Sequence, residues 1–191
     1  DPSQQGEARR QQILPRICVI LDSLSAVSRV LIVGCGCRGA QLASKLLEAG
    51  HLVRGSTRSE QRAAELQELG IEPLLADPDR VGAVIHGLTG VTVVCHLLGS
   101  AEGTPEQLSE LHGNRLEALT RGTVDTGVRG FLYEAAGSVG PELLASGAER
   151  SARVAGASRV PFQTLTADPN DYEVWAGAAN SAVQALISRS S

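Results

Sequence analysis

The stretch Val30-Leu31-Ile32-Val33-Gly34-Cys35-Gly36-Cys37-Arg38-Gly39 is a short apolar run that ends in a Gly-x-Gly-x-x-Gly pattern. Residues 40–50 follow it with the spacing of an amphipathic helix closed by a glycine. In this setting Gly34 makes a tight turn, Gly36 lets the backbone approach a pyrophosphate, and Gly39 lets helix and strand pack closely. The pattern therefore predicts a strand, a phosphate-binding loop and a helix whose N-terminus favours anions. A tight strand–helix turn without a ligand is the alternative interpretation.

Composition and charge narrow the classes of protein that can be built around this loop. The chain has 191 residues, of which 42% are hydrophobic, and a formal net charge of -4 at pH 7. One folded domain with a buried core is expected for this length and composition. The acidic balance argues against a nucleic-acid partner, and no apolar run approaches the roughly 20 residues that span a bilayer. We therefore expect neither nucleic acid nor a membrane as a partner.

The cysteines indicate a reducing compartment. Cys18, Cys35, Cys37 and Cys95 form no paired Cys-x-x-Cys set, and two of them lie inside the glycine loop. Free thiols in a cytoplasmic protein are therefore favoured over a disulfide scaffold. The sequence also predicts no metal site, because the histidines are scattered and no Cys or His pairs have zinc-like spacing.

The first 28 residues do not share the pattern of the rest. Residues 1–12 are polar, residues 17–21 form an apolar run too short for a signal-peptide core, and the chain contains no methionine. Residues 1–28 are therefore interpreted as an N-terminal extension that is partly disordered or of artificial origin. Residues 29–191 are predicted to form one NAD(P)-binding domain.

Strand and helix signals alternate from Val30 onward, as in βαβ units on a parallel sheet. After the first strand, further strands are predicted at residues 51–54, 71–76, 91–98, 128–136 and 162–166. Right-handed crossovers between six parallel strands give an α/β fold with three layers. The prediction is a single-domain, doubly wound Rossmann fold with strand order 3-2-1-4-5-6.

Caps and apolar stripes mark the helices between these strands. Residues 104–107 combine an N-cap threonine, a proline and a capping box, and the helix they start is expected to continue through Leu119. Another helix is predicted at residues 141–154. The last helix carries one apolar stripe, made of Tyr172, Trp175, Ala176, Ala179, Val183, Leu186 and Ile187.

The end of the second strand indicates which dinucleotide the loop holds. An NAD site has Asp or Glu about 20 residues past the glycines, whereas this chain has Ser56, Thr57 and Arg58 there. Arg58 is placed to meet a 2′-phosphate, Arg38 could reach the same group, and the two hydroxyls add donors. The sequence therefore predicts a preference for NADP(H) over NAD(H). Two alternatives stay open: the arginines are solvated surface charges, or Glu60 is the missing acid, although the helix dipole already explains a first-turn glutamate.

A further signal comes from six segments, at residues 30–39, 50–54, 57–58, 76–77, 94–99 and 127–133. Together they resemble the extended and atypical short-chain dehydrogenase/reductases, which include the NAD-dependent epimerase/dehydratases; the resemblance covers about residues 30–137. It implies that Asp77 faces the adenine and that residues 97–100 pass beneath the ribose and nicotinamide. A compatible alternative is that Asp77 caps a helix beginning at Pro78. The predicted cofactor-binding residues are Gly34, Cys35, Gly36, Cys37, Arg38, Gly39, Ser56, Thr57, Arg58, Asp77, Leu97, Leu98 and Gly99.

The catalytic pattern of that family is missing from this sequence. The family uses a Tyr-x-x-x-Lys pair after the fifth strand, in which the lysine lowers the tyrosine pKa for proton exchange. The one lysine here, Lys45, falls in the first predicted helix, and neither Tyr133 nor Tyr172 has a lysine four residues on. Too few residues also follow the sixth strand for the family's substrate lobe.

Three side chains near the expected nicotinamide position are candidates for chemistry. Glu134 ends the fifth strand and is either an acid or substrate contact, or a solvated strand-end glutamate. Ser138 lies near the family's catalytic serine, or is a turn residue. His96 ends the fourth strand and is either a proton donor or a structural histidine.

Three functions are compatible with these signals. The favoured one is a noncatalytic or regulatory NADP(H)-binding module, because the catalytic pair and the substrate lobe are missing. The second is an NADP(H)-dependent reductase of a small molecule whose proton comes from substrate or solvent. The third is a Rossmann domain whose loop binds nothing. A homodimer through exposed helices is compatible with each of them.

Overall fold

The computed structural model describes residues 27–189, and its centre is one sheet of six parallel strands. The strands are β1 (Arg29–Val33), β2 (Leu52–Thr57), β3 (Glu72–Leu75), β4 (Val93–His96), β5 (Gly130–Glu134) and β6 (Phe162–Leu165). Their order across the sheet is β3-β2-β1-β4-β5-β6, as predicted. The chain reverses direction across the sheet between β2 and β4, which both pair with β1. In sheets of this kind, ligands bind at the carboxyl ends of the strands at that reversal.

Seven helices connect and cover the strands in the described part of the chain. They are α1 (Cys37–Glu48), α2 (Glu60–Glu68), α3 (Val81–His86), α4 (Pro105–His112), α5 (Asn114–Gly122), α6 (Pro141–Ala157) and α7 (Tyr172–Ser188). None of these helices is long and apolar enough to cross a membrane.

The sheet is apolar on both faces because a hydrophobic cluster lies on each of them. Val30 and Ile32 of β1 belong to a cluster that includes Leu42 of α1 and Trp175 of α7. Leu31 and Val33 belong to the second cluster, together with side chains of α3, α5 and α6. A strand buried on both sides has no need for polar alternation, which is why residues 30–33 form a continuous apolar run.

Several element boundaries differ from the predictions. The second strand, predicted at residues 51–54, is Leu52–Thr57, so Ser56 and Thr57 belong to the strand itself. The helix expected to run from Thr104 through Leu119 is two helices, broken at Gly113, where an added Cβ would lie 2.5 Å from the carbonyl oxygen of Ser109. Tyr172 does not belong to the apolar stripe of α7, because its side chain is 44% exposed.

The capping box at Thr104 and Gln107 is confirmed, with both reciprocal hydrogen bonds present. The proposed helix cap at Asp77 is wrong in its details. The helix begins at Val81, not at Pro78, and the Asp77 carboxylate instead accepts a hydrogen bond from the Asp79 N–H, which closes a short turn. The interpretation of residues 1–28, and the thiol of Cys18, concern sequence that is almost entirely outside the described residues.

Candidate functional site

The glycine loop joins β1 to α1 in the conformation that its glycines allow. Gly34 has φ +83°, and a Cβ there would lie 2.5 Å from Leu98 Cδ2 and 2.8 Å from the Leu97 carbonyl oxygen. Ser56 at the end of β2 fixes the turn, because its hydroxyl accepts from the Gly34 N–H at 3.1 Å and its carbonyl accepts from the Cys35 N–H at 3.0 Å. Gly39 packs against Ile32, whose Cγ2 would be 3.1 Å from an added Cβ. The turn and packing roles expected of Gly34 and Gly39 match this geometry.

The first turn of α1 is open to an anion. Gly36 is its N-cap residue; in the described structure no side chain caps this helix and its first turn contains no acidic residue. A Cβ on Gly36 would meet nothing within 4 Å, so the backbone there faces open space. Uncapped N–H groups at a helix N-terminus carry partial positive charge and bind phosphate groups well. This arrangement fits the pyrophosphate role expected for the loop.

A cavity of about 600 Å³ lies over the loop, at the carboxyl ends of β1 to β4. All but two of the predicted cofactor-binding residues line it. Gly39 and Gly99 are both buried beside the wall instead. The predicted residues that line the cavity are Gly34, Cys35, Gly36, Cys37, Arg38, Ser56, Thr57, Arg58, Asp77, Leu97 and Leu98.

Two arginines stand on the β2 side of this cavity, and only one of them was predicted from the sequence. Arg58 is exposed and lines the cavity directly after β2. Arg62, in the first turn of α2, donates from Nη2 to the Gly36 carbonyl at 3.2 Å and lies 3.4 Å through Nε from the Cys35 carbonyl. The Glu65 carboxylate holds its other terminal nitrogen at 2.8 Å. Arg58 precedes the Ser59 N-cap and is not part of the helix that carries Arg62, so only the short separation of the two in the sequence could have marked them as one group.

Arg38 lies on the opposite side of the loop from these two arginines. Its guanidinium carbon is 5.8 Å from the Trp175 ring centroid, and its Nε is 3.8 Å from Glu134 Oε1. The side chain therefore faces α7 and β5, although it also lines the cavity. A contact of Arg38 and Arg58 with one and the same phosphate stays a prediction.

Glu134 is a buried structural carboxylate. It is fully shielded from solvent, its Oε2 accepts from the Gly99 N–H at 2.8 Å, and its Oε1 accepts from Trp175 Nε1 at 2.9 Å. Burial raises the pKa of this carboxyl, while the Gly99 N–H, the Arg38 charge and the Trp175 N–H oppose that rise. The interpretation as a solvated strand-end glutamate is therefore wrong. Glu134 does not line the cavity and instead joins the loop after β4 to α7.

His96 belongs to a buried cluster with His112 and Tyr133. The His96 ring stacks on Tyr133 at 5.6 Å between centroids, and its Nδ1 has no hydrogen-bond partner among the described residues. Burial, reinforced by the nearby His112, lowers the pKa of His96 to about 3. A histidine that stays neutral and does not reach the cavity is a poor proton donor near neutral pH.

The His112 tautomer follows from its partners. Nε2 is 3.2 Å from the Leu98 carbonyl oxygen, which can only accept, so Nε2 carries the proton. Nδ1, 2.8 Å from the Tyr133 hydroxyl, then accepts the Tyr133 O–H in the neutral ring. Burial lowers the pKa of His112, which favours this neutral form. The bond from Nε2 ties α4 to the Leu98 segment in the cavity wall.

Gly147 of α6 leaves room for the Tyr133 hydroxyl, and a double-mutant cycle tests this contact. A Cβ at Gly147 would lie 2.5 Å from the Tyr133 hydroxyl oxygen. Gly147→Ala is expected to cost about 2 kcal/mol of unfolding free energy in the native chain, and about 1 kcal/mol less in a Tyr133→Phe background. Tyr133→Phe alone should cost about 1–3 kcal/mol, because it leaves His112 Nδ1 buried without a donor. Urea unfolding of the four proteins checks this, and additive effects within about 0.5 kcal/mol would contradict it.

The remaining residues with reactive side chains are Ser138 and the cysteines. Ser138 is exposed and is not part of the cavity wall. Cys35 and Cys95 are buried thiols, and Cys37 is exposed; burial raises the pKa of Cys35 to about 11. Within residues 27–189, no group of three or more His, Cys, Asp or Glu side chains is placed to hold a metal ion.

Comparisons with known proteins give a likeness in structure only. No protein-family model matches the chain, and no curated protein matches it. UDP-glucose 4-epimerase from Thermotoga maritima superposes with a TM-score of 0.62 at 15% identity, over 72% of this chain and 54% of its own. Triphenylmethane reductase from Citrobacter sp., solved with NADP(H), gives 0.58 at 17% identity, over 72% and 48%. UDP-glucuronic acid 4-epimerase from Bacillus cereus, solved with NAD, gives 0.58 at 15% identity, over 72% and 55%.

The match covers about half the length of each of these proteins. At such identities the likeness shows the arrangement of strands and helices and does not transfer an activity. The parallel sheet, its strand order and these neighbours agree: the chain has the Rossmann fold found in NAD(P)-dependent epimerases and reductases.

Proposed function

We propose that this protein binds NADP(H) at the cavity over the glycine loop and acts as a noncatalytic or regulatory cofactor-binding module. The observation that carries the proposal is the pairing, in one cavity, of an uncapped α1 N-terminus with two arginines, Arg58 directly after β2 and Arg62 in the first turn of α2. Residues 34–39 would hold the pyrophosphate, and Ser56, Thr57 and Arg58 the adenosine ribose with its 2′-phosphate. When bound, the dinucleotide could supply or accept hydride.

The preference for NADP(H) over NAD(H) rests on charge at the end of β2. Arg58 and Arg62 both line the cavity, whereas Glu60, the alternative ribose ligand, does not. The Ser59 hydroxyl is engaged as the N-cap of α2, where it accepts from the Arg62 N–H at 3.2 Å. No carboxylate in the lining follows β2 directly, although Asp77, Asp79 and Glu102 line other parts of the cavity. A 2′-phosphate would therefore depend on direct contact with the arginines.

The noncatalytic role rests on the side chains that the cavity offers. Its wall contains no tyrosine, lysine or histidine among the described residues. Glu134 and His96 are buried behind it, and Ser138 lies outside it. A reductase that takes its proton from solvent is the second candidate, favoured by the likeness to a reductase solved with NADP(H). The location in the cytoplasm remains a prediction from the cysteines.

Titration with NADP⁺, NADPH, NAD⁺ and NADH tests the proposal. Trp175 is the chain's one tryptophan and lies under Arg38, a residue of the cavity wall, so its fluorescence should respond to binding. We expect NADP⁺ to bind more tightly than NAD⁺. If none of the four binds at millimolar concentration, the proposal fails. Oxidation of NADPH with a panel of quinones, flavins or aldehydes would instead favour the reductase.

Replacement of Arg58, directly after β2, should weaken the binding of NADP⁺ much more than the binding of NAD⁺. Arg58→Ala is expected to weaken NADP⁺ binding about 10- to 100-fold, because a charge-assisted hydrogen bond contributes about 1.5–3 kcal/mol. NAD⁺ binding should change less than about 3-fold, since its ribose carries no 2′-phosphate. Calorimetric titration measures both.

Two controls accompany this comparison. Arg153→Ala removes an exposed arginine of α6 outside the cavity and should leave both affinities unchanged. Arg62→Ala should weaken NAD⁺ as well as NADP⁺, because Arg62 also holds the carbonyl of Gly36 in the loop. Equal losses of NADP⁺ and NAD⁺ in Arg58→Ala would show that Arg58 does not touch the 2′-phosphate.

A further inference from the structure

The cavity spans the point where the strand order reverses but stops short of β5. All of its lining residues fall between Gly34 and Leu111, at or after the carboxyl ends of β1 to β4 and in α1, α2 and α4. Within the described chain, nothing from β5, β6, α6 or α7 contributes to its wall. The open space therefore extends from the ends of β2 and β3, where Arg58 and Asp77 stand, to the loop after β4 and to α4, and it ends before β5.

Backbone closes the space between the ends of β4 and β5. The Val139 N–H donates to the Gly99 carbonyl at 3.0 Å, which joins the loop after β4 to the loop after β5. A Cβ on Gly99 would lie 2.2 Å from the Ala136 carbonyl oxygen, and a Cβ on Gly137 would lie 2.0 Å from the Gly99 carbonyl oxygen. The two loops are in contact without room for a side chain, and so without room for an aromatic ring.

Hydrogen bonds to the buried Glu134 carboxylate stabilise this contact between the two loops. Its carboxylate accepts the Gly99 N–H at 2.8 Å and the Trp175 indole N–H at 2.9 Å, and it is fully buried. Opening the crevice would break these bonds and leave a carboxylate inside the protein without its donors, which is strongly unfavourable. The closure is thus supported by β5 and α7 together.

The open cavity has the chemistry of an adenosine phosphate site. Arginines stand at one end and the uncapped α1 N-terminus at another. Leu98, Leu108 and Pro78 supply apolar wall suited to the face of a purine base. We infer that the site recognises the 2′-phosphorylated ADP half of NADP(H) and provides no pocket for the nicotinamide ring. This inference rests on the proposed function and has a consequence: the protein does not distinguish NADP⁺ from NADPH.

Calorimetric titration of the full chain with four ligands tests the inference. The ligands are NADP⁺, NADPH, 2′-phospho-ADP (ADP that carries a phosphate on its ribose 2′-oxygen) and nicotinamide mononucleotide. The first three are expected to bind within 10-fold of one another, and nicotinamide mononucleotide is expected not to compete. An affinity for NADP⁺ or NADPH more than 10-fold above that of 2′-phospho-ADP, or displacement by nicotinamide mononucleotide, overturns the inference. If neither NADP⁺ nor 2′-phospho-ADP binds, the proposed function itself fails.

Two variants sharpen the result. Arg58→Ala should weaken NADP⁺ and 2′-phospho-ADP by the same factor, because both present the same phosphate. Ser138→Tyr adds bulk at an exposed position on the closed side and should leave NADP⁺ affinity unchanged within 3-fold. A larger loss in Ser138→Tyr for NADP⁺, without a loss for 2′-phospho-ADP, would place the nicotinamide beside β5 and overturn the inference.

Discussion

Gly36→Ala is expected to weaken NADP⁺ binding about 30-fold while it changes the free energy of unfolding by less than about 1 kcal/mol. In the free protein an added Cβ meets nothing within 4 Å, and φ at Gly36 is -78°, which alanine adopts readily. The small stability cost comes from the poorer N-cap propensity of alanine. In the complex the methyl group would stand between the backbone and the pyrophosphate, and an overpacked contact of this kind costs about 2 kcal/mol. Calorimetric titration and urea unfolding of the same protein sample measure the two effects.

Gly34→Ala is the matched control, because its main expected effect is on the stability of the free protein and not on NADP⁺ binding. Its φ of +83° and the clash with Leu98 strain the folded state itself. We expect a loss of stability of about 1–3 kcal/mol before any ligand is added. If Gly36→Ala instead bound NADP⁺ as tightly as the native protein, the backbone of the loop would not be the phosphate ligand.

Acid should destabilise the native chain through His96. Its pKa is about 3 in the folded state and about 6.5 in an unfolded chain. Below pH 6.5, His96 therefore binds a proton in the unfolded chain and stays neutral in the folded one. The contribution of the neutral His96 ring to the free energy of unfolding is fully present above pH 6.5. It is lost as pH falls, at up to about 1.4 kcal/mol per pH unit. Between about pH 6.5 and about pH 5, His96→Leu should therefore lose about 2 kcal/mol less stability than the native chain. Urea unfolding across this range gives the difference.

The comparison between variant and native chain is needed because other groups titrate nearby. Burial lowers the pKa of His112, which adds a loss of the same sign. Burial raises the pKa of Glu134, so its contribution has the opposite sign and grows more favourable as pH falls. His86→Gln, at an exposed position, is the control. A His96→Leu curve parallel to that of the native chain would show that folding does not lower the pKa of His96.

The parts of this fold that follow from short-range patterns could be predicted from the sequence. The run of β1, its glycine turn and the first helix are adjacent in the chain, and their packing uses neighbouring residues such as Ile32 and Gly39. The strand order was predicted from the glycine pattern after β1, which is typical of the dinucleotide-binding order 3-2-1-4-5-6, together with right-handed crossovers. Arg58 and Asp77 each follow a predicted strand, and both line the cavity at the strand ends.

The contacts that join distant segments could not be predicted in this way. Glu134 is buried because Trp175, 41 residues later, supplies a hydrogen bond and covers it. His112 is one of several scattered histidines in the sequence, and only the fold brings it to Tyr133, 21 residues away. The break at Gly113 was hidden because the apolar spacing continues into α5, through Leu116 and Leu119. A period of apolar residues indicates a helix and does not show where it is interrupted.

The central position of β1 has a consequence for how the chain is made. β1 is the first described strand in the sequence, yet it pairs on one side with β2 and on the other with β4. During synthesis from the N-terminus, its second edge therefore stays unpaired until β4 has left the ribosome, seconds later at about 5–20 residues per second. An apolar strand with a free edge is prone to aggregation. We expect nascent chains that stop before Val93 to need a chaperone, and chains that extend past His96 to need it less.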